Sequence, residues 1–153
     1  RGHNNNFYNV GSMGHASSIG LEVALQRDDR KVYILDGDGS LIMHMGSLST
    51  IGYYQPKNLI HIIFDNESHE STGGQPTTSK TTNFSEILQG CNYESVNTVQ
   101  SESELSNILL RQHQGLLGIV VKIQVGSRND LSRPTDTPKT TKNRFMDGLS
   151  SDD

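Results

Sequence analysis

A chain of 153 residues with 17 Asp and Glu against 13 Lys and Arg has a formal charge of −4, and 32% of its residues are hydrophobic. That length suits one domain able to bury its own core, and the mild acidity excludes a general attraction to nucleic acid or anionic membrane, so a bound anion needs a local site. Cys91 is the only cysteine, which rules out an intrachain disulfide, and no apolar run nears the roughly 20 residues that span a bilayer, so a reduced, cytoplasmic setting is expected.

After the Gly-rich run Val10-Gly11-Ser12-Met13-Gly14, the segment from His15 to Gln26 is predicted to be a helix with Ala16, Ile19, Val23 and Ala24 toward one side. Lys31 to Asp36 reads as a buried strand stopped by Gly37, because its apolar run is short and β-rich. Ser40 to Tyr54 is expected to be one helix, ending before Pro56 because the residue preceding a proline avoids the α region. Leu59 to Phe64 is a second buried strand, followed by a polar loop from Asp65 to Asn83 whose length is itself a sign of function. Helices are predicted over Phe84 to Cys91 and Glu102 to Gln112, with strands at Ser95 to Val99 and Gly118 to Val125. The alternation implies an α/β domain over residues 1–125, a parallel sheet with helices on both faces, and a polar, irregular tail over residues 126–153. In such sheets ligands gather at the carboxyl ends of the strands, here the loops Asp36 to Ser40 and Asp65 to Thr72.

Each loop alone is unremarkable, since Asp-Gly-Asp-Gly is a common turn and Asp-Asn a common strand end. Together they are specific: Gly37-Asp38-Gly39 follows one strand and Asn66 the next, with 25 residues (40 to 64) between Gly39 and Asp65. A calcium loop starting at Asp36 fails, because its twelfth position is Ser47 rather than a bidentate Glu. No Gly-x-Gly-x-x-Gly turn opening a helix and no Gly-Lys-Ser/Thr phosphate loop occurs, which argues against an ordinary nucleotide-binding domain.

The pair of loops resembles the metal motif of thiamine diphosphate enzymes, and the chain is similar to the C-terminal, diphosphate-binding domain of these proteins. The resemblance implies that Mg2+ is held by the side chains of Asp38 and Asn66 and the main-chain carbonyl of Ser68, with the diphosphate completing the shell. Glycines at 37 and 39 suit close backbone approach to a diphosphate, and Ser40 is expected to open a helix whose first N–H groups favour phosphate. Gly11, Ser12 and Met13 resemble the turn that supports the middle of the cofactor, with Met13 propping its bent form. The family usually has Asn where this chain has Asp65.

Finer wording, Leu41 to Ser47, His69 to Thr77 and Gly126 to Pro134, resembles the phosphonopyruvate decarboxylase branch, with sulfopyruvate decarboxylase beside it. The implied reaction is thiamine diphosphate-dependent loss of CO2 from phosphonopyruvate to give phosphonoacetaldehyde. A doubly anionic substrate needs cationic or donor groups, for which His15 and His69 are the candidates, either of which suits proton transfer near neutral pH. His44 is a weaker candidate, His61 reads as a packed sheet residue, and His3 and His113 as solvent residues. Arg128 and Arg133 either reach an anion or keep the tail soluble. The glutamate that activates the cofactor belongs, in this family, to a separate pyrimidine-binding domain; Glu22 is expected to face away from the site. A partner domain or subunit in a homo- or hetero-oligomer is therefore implied, and the start at Arg1 without Met suggests a fragment or a trimmed chain. A noncatalytic cofactor-binding relative is the alternative outside catalysis.

Overall fold

The computed structural model describes residues 3–127, 130, 132 and 134–150. Helix α1 (Ala16–Gln26) leads to strand β1 (Val32–Gly37), short helices α2 (Asp38–Met43) and α3 (Gly46–Tyr54), and strand β2 (Leu59–Asp65). A small hairpin of β3 (Ser68–His69) and β4 (Gln75–Pro76) follows, then α4 (Phe84–Gly90), β5 (Ser95–Val99), α5 (Glu102–Leu109), β6 (Leu117–Lys122) and α6 (Pro138–Ser150).

Four strands form an all-parallel sheet in the order β1-β2-β6-β5. On one face Ile34, Leu59, Ile63 and Val120 pack against Leu21 and Ala24 of α1, Leu41 of α2, Leu48 and Ile51 of α3, and Phe84 and Leu88 of α4. On the other, Ile60, Ile62, Leu117, Ile119 and Val121 pack against Ile108 of α5. The central strands β2 and β6 are covered on both sides and read as continuous apolar runs, as a parallel sheet requires. Burying each such Ile or Leu contributes roughly 1.5–3 kcal/mol. The expected architecture, a parallel sheet with helices on both faces, is the one observed.

Several local expectations differ. Strand β1 is an edge strand and only its inner face is covered: Tyr33 is 49% and Leu35 64% exposed, because the cluster that α5 joins takes in β2, β6 and β5 but no residue of β1. The buried stripe of α1 is Ser17, Gly20, Leu21 and Ala24, with Ile19 and Val23 at its flanks. The single helix expected over Ser40 to Tyr54 is broken at His44, where α2 ends, and turns through Ser47 N–H to His44 O and Leu48 N–H to Met45 O start α3. That break lets α2 sit on the ends of β1 and β2 while α3 packs on α1. The loop from Asp65 to Asn83 is not structureless: it holds β3, β4 and two 3-10 turns, Glu70–Thr72 and Ser79–Thr81. The tail expected to be irregular contains α6, with Thr141 and Gly148 buried. The Phe7 and Phe145 rings lie 5.6 Å apart and Arg30 Nη1 donates to Gly148 O at 3.2 Å, so α6 packs on the segment leading into Gly11 and on the connection between α1 and β1. Arg128 and Arg133, and with them part of the Gly126 to Pro134 segment, lie outside the described residues. No helix among the described residues is long and apolar enough to cross a membrane.

Candidate functional site: three loops at the carboxyl ends of β1 and β2

Register brings the two principal loops together. Asp36 pairs with Ile63 and Gly37 with Phe64, so Asp38 and Asn66 leave adjacent strands at the same edge of the sheet. Asp38 is 1% exposed in the first turn of α2, and its Oδ2 accepts a 2.5 Å hydrogen bond from Thr77 Oγ1. Among the described residues no other hydrogen bond reaches this carboxylate, so its remaining lone pairs face no protein donor. A buried carboxylate so sparsely compensated is costly unless a cation joins it. Asn66 Oδ1 accepts from Ser68 N–H at 3.0 Å across Glu67, whose φ of +58° makes the turn, and an amide oxygen keeps a second lone pair. Ser68 is buried opposite Pro76, which has no N–H to offer its carbonyl, and Ser68 Oγ is buried without a partner.

The third loop is tied in directly. Gly14 N–H donates to Ser40 Oγ at 3.0 Å. Ser40 is the third residue of α2, which Gly37 caps and Asp38 begins, and its hydroxyl is engaged by Gly14. Gly14 has φ +91°, and a Cβ there would lie 2.5 Å from His44 Nδ1 and 3.1 Å from Ser40 O, so no other residue fits. Ser12 O accepts from His15 N–H at 3.1 Å and from Asn9 Nδ2 at 2.6 Å, which closes the turn; Gly11 and Ser12 are exposed and Met13 is half-buried within it.

Two expected histidines border this surface. His69 is half-buried with its ring over Gly39, where a Cβ would lie 2.4 Å from Nδ1. His15, exposed at the start of α1, lies against His44 with ring centroids 4.2 Å apart and planes tilted by 50°, so His44 belongs to the same surface as His15. His61 is fully buried, as a packed sheet residue should be, and Glu22 is exposed and bonded to Gln26, away from the loops. His3 is exposed, whereas His113 is half-buried with Nε2 2.5 Å from Ile108 O, a correction to its reading as a solvent residue.

Asp65, where the resemblance led to an expectation of Asn, has surroundings that suit a carboxylate. It is 1% exposed, accepts from Ser79 Oγ at 2.5 Å and is ion-paired with Lys122 at the end of β6. An asparagine would need no such cation. Thr77, Ser79 and Lys122, which hold the site's two aspartates, were not singled out in the sequence; the one available signal was the density of Ser and Thr in a loop too long to be a plain connection. Among the described residues no three His, Cys, Asp or Glu side chains could hold a metal on their own. The available set is carboxylate, amide and carbonyl oxygen, hard donors that fit Mg2+ when phosphate oxygens complete the shell.

The family model for the thiamine pyrophosphate enzyme C-terminal TPP binding domain matches residues 2–117. The chain belongs to this family. Among similar proteins is the sulfopyruvate decarboxylase subunit beta of Methanocaldococcus jannaschii, 43% identical over 148 residues, covering 94% of this chain and 77% of that subunit. The phosphonopyruvate decarboxylase of Streptomyces viridochromogenes is 40% identical over 141 residues, or 91% of this chain. The sulfopyruvate decarboxylase of Methanosarcina acetivorans is 37% identical over 147 residues. The chain spans only 35% and 38% of the length of those last two proteins. The cofactor of this TPP-binding domain is thiamine diphosphate, as the paired loops suggested.

Proposed function

We propose that this domain holds thiamine diphosphate and Mg2+ for the decarboxylation of a 2-oxo acid with a second anionic group, phosphonopyruvate in the first instance, to the aldehyde and CO2. The observation that carries this reading is the convergence of the Gly37-Asp38-Gly39 and Asn66-Glu67-Ser68 loops at one sheet edge, with buried Asp38 held by Thr77. Asp38, Asn66 Oδ1 and the Ser68 carbonyl hold the metal; Gly37, Gly39 and Ser40 border the diphosphate; Gly11, Ser12 and Met13 support the middle of the cofactor. Bound thiamine diphosphate supplies the electron sink for loss of CO2, and the protein supplies position and electrostatics.

His15 with His44, and His69 from the other side of Gly39, offer imidazole donors to the substrate's anionic ends and positions for proton transfer near neutral pH. The activating glutamate comes from a pyrimidine-binding domain, either a partner subunit or another part of a longer chain, so the complete site is formed at an interface within a homo- or hetero-oligomer. The coverage of 77% of a separately named beta subunit supports the partner-subunit form. The same relative, at 43% identity against 40% for the phosphonate enzyme, favours sulfopyruvate as the second reading.

The test is side-by-side turnover of phosphonopyruvate and sulfopyruvate by the naturally assembled protein with thiamine diphosphate and Mg2+, with Asp38→Ala as control. Cofactor-dependent turnover of phosphonopyruvate, absent from the control, is expected. Preference for sulfopyruvate moves the protein to the neighbouring activity, and no turnover of either acid leaves a cofactor-binding domain without decarboxylase activity.

A further inference from the structure

Directly beneath the metal loop lies a line of three buried polar side chains that the reading above does not use. Asp36 is 4%, His61 0% and Tyr93 5% exposed. Tyr93 Oη lies 3.0 Å from His61 Nδ1, His61 Nε2 faces Asp36 Oδ2 at 3.6 Å, and Asp36 Oδ1 accepts Gly37 N–H at 3.1 Å. The line therefore runs from the end of α4, across β2, to the residue before Asp38. Its construction is specific. His61 pairs in register with Gly118 on β6, where a Cβ would lie 3.1 Å from the Tyr93 ring, so the missing side chain makes the space through which the phenol reaches His61.

Its one imperfection is informative. His61 Nε2 and Asp36 Oδ2 are both buried with no hydrogen-bond partner, and they face each other at a separation slightly too long for a hydrogen bond and far too short for a water between them. Two orphaned polar atoms in a core are costly, and such gaps beside a site often close when the ligand is in place. The direction of the line follows from its carboxylate end, where Nε2 faces Asp36 Oδ2. Burial keeps the Tyr93 phenol well above its ordinary pKa, with Cys91 and Asp36 adding to the effect, so it stays protonated. A phenol can donate or accept, but the ring tautomer compatible with Nε2 facing the Asp36 carboxylate carries its proton on Nε2, and in that tautomer the Tyr93 hydroxyl donates to Nδ1.

We propose that His61, set by Tyr93, is a positioning residue for the metal loop: its Nε2–H holds Asp36, Asp36 holds the Gly37 N–H, and the pair fixes where Asp38 meets the metal. This rests on Asp38 being a metal ligand. Neighbours that orient a ligand in this way are worth about 10- to 100-fold in metal affinity.

The experiment is Mg2+ titration of the assembled protein with thiamine diphosphate, read by calorimetry, beside thermal unfolding without metal. Tyr93→Phe removes only the phenol oxygen, His61→Gln keeps a donor at the Nε2 position, and His61→Leu removes both contacts. Mg2+ binding is expected to weaken by about tenfold or more in His61→Leu, to weaken less in Tyr93→Phe, and to recover toward wild type in His61→Gln. Equal Mg2+ affinity in all three variants, with loss only of metal-free stability and with Asp38→Ala still abolishing binding, overturns the inference and leaves the metal site intact. Unchanged Mg2+ binding in Asp38→Ala overturns the metal-site reading and the inference with it. Should His61→Leu fail to fold, the other two variants decide, together with the tautomer of His61 from nitrogen chemical shifts of the wild-type protein, where an Nδ1–H ring would overturn the proposal.

Discussion

Asp65 places a carboxylate in the interior beside Asn66, and that placement has a price in charge. Its carboxylate is buried and faces Lys122, whose side chain is 40% exposed, so replacing Lys122 leaves an uncompensated charge next to Asn66. Lys122→Met is expected to lower stability by about 1–3 kcal/mol, and to cost much less in an Asp65→Asn background, where no buried charge remains. Chemical unfolding of the four proteins of this double-mutant cycle checks the coupling, and equal costs in both backgrounds would refute it. At this scale the sequence announced the residues proposed to meet the cofactor, Asp38 and Asn66 through the spacing of their loops and Met13 through the resemblance of its turn. It concealed Thr77, which holds Asp38, and Ser79 and Lys122, which hold Asp65, because those contacts are set by the folding of the loop and by strand register, which no local spacing records.

The elements were legible in proportion to how strongly periodicity alone decides them. Strands β2 and β6, covered on both faces, appear as apolar runs, whereas β1 appears the same and is not, since edge position is a property of the sheet. Close approach between elements was equally invisible. Gly52 of α3 meets the end of α4 so tightly that a Cβ would lie 1.5 Å from Cys91 O, a backbone atom that cannot swing aside. Gly52→Ala, which usually favours a helix, is therefore expected to destabilise by about 1–3 kcal/mol or more, measured as a lowered midpoint of chemical unfolding.

Helix α5 carries a capping box: Ser101 Oγ accepts from Glu104 N–H, and Glu104 accepts from the Gln100 and Ser101 N–H groups. The Gln100 N–H, first among these bonds, holds the Glu104 carboxyl below its ordinary pKa. A depressed folded-state value means that the stabilisation is present above the unfolded value and is lost as pH falls through the folded one. Glu104→Gln should accordingly flatten the acid side of the stability profile, with Ser101→Ala costing about 1 kcal/mol near neutrality. An unchanged acid limb would show that the carboxylate contributes nothing through its charge.

On the scale of the whole molecule, the boundary expected near residue 125 does not divide the structure into a domain and a loose tail. Helix α6 returns to the opposite end of the chain, where Phe145 meets Phe7 and the Arg144 guanidinium lies 5.9 Å above the Tyr8 ring, and its Gly148 carbonyl accepts from Arg30 in the connection between α1 and β1. Phe7 and Tyr8 lead within a few residues to Gly11, Ser12 and Met13, and that turn is tied through Gly14 to Ser40 in the loop after β1. The last helix thus supports the first loop. Composition hid this, because α6 is mostly polar and meets the N-terminal segment through an aromatic pair and a cation over a ring rather than through a broad apolar face. Ending the chain after Thr137 should leave the parallel sheet folded, since its core clusters contain no residue of α6. It should lower the thermal midpoint and weaken thiamine diphosphate binding severalfold, because the segment before Gly11 loses the surface that orders it and binding must then supply that ordering. Circular dichroism and cofactor titration of the shortened protein separate the outcomes: a sheet that melts with the helix removed would make α6 part of the core, and undiminished cofactor affinity would mean that the Gly11 to Gly14 turn is held by Ser40 alone.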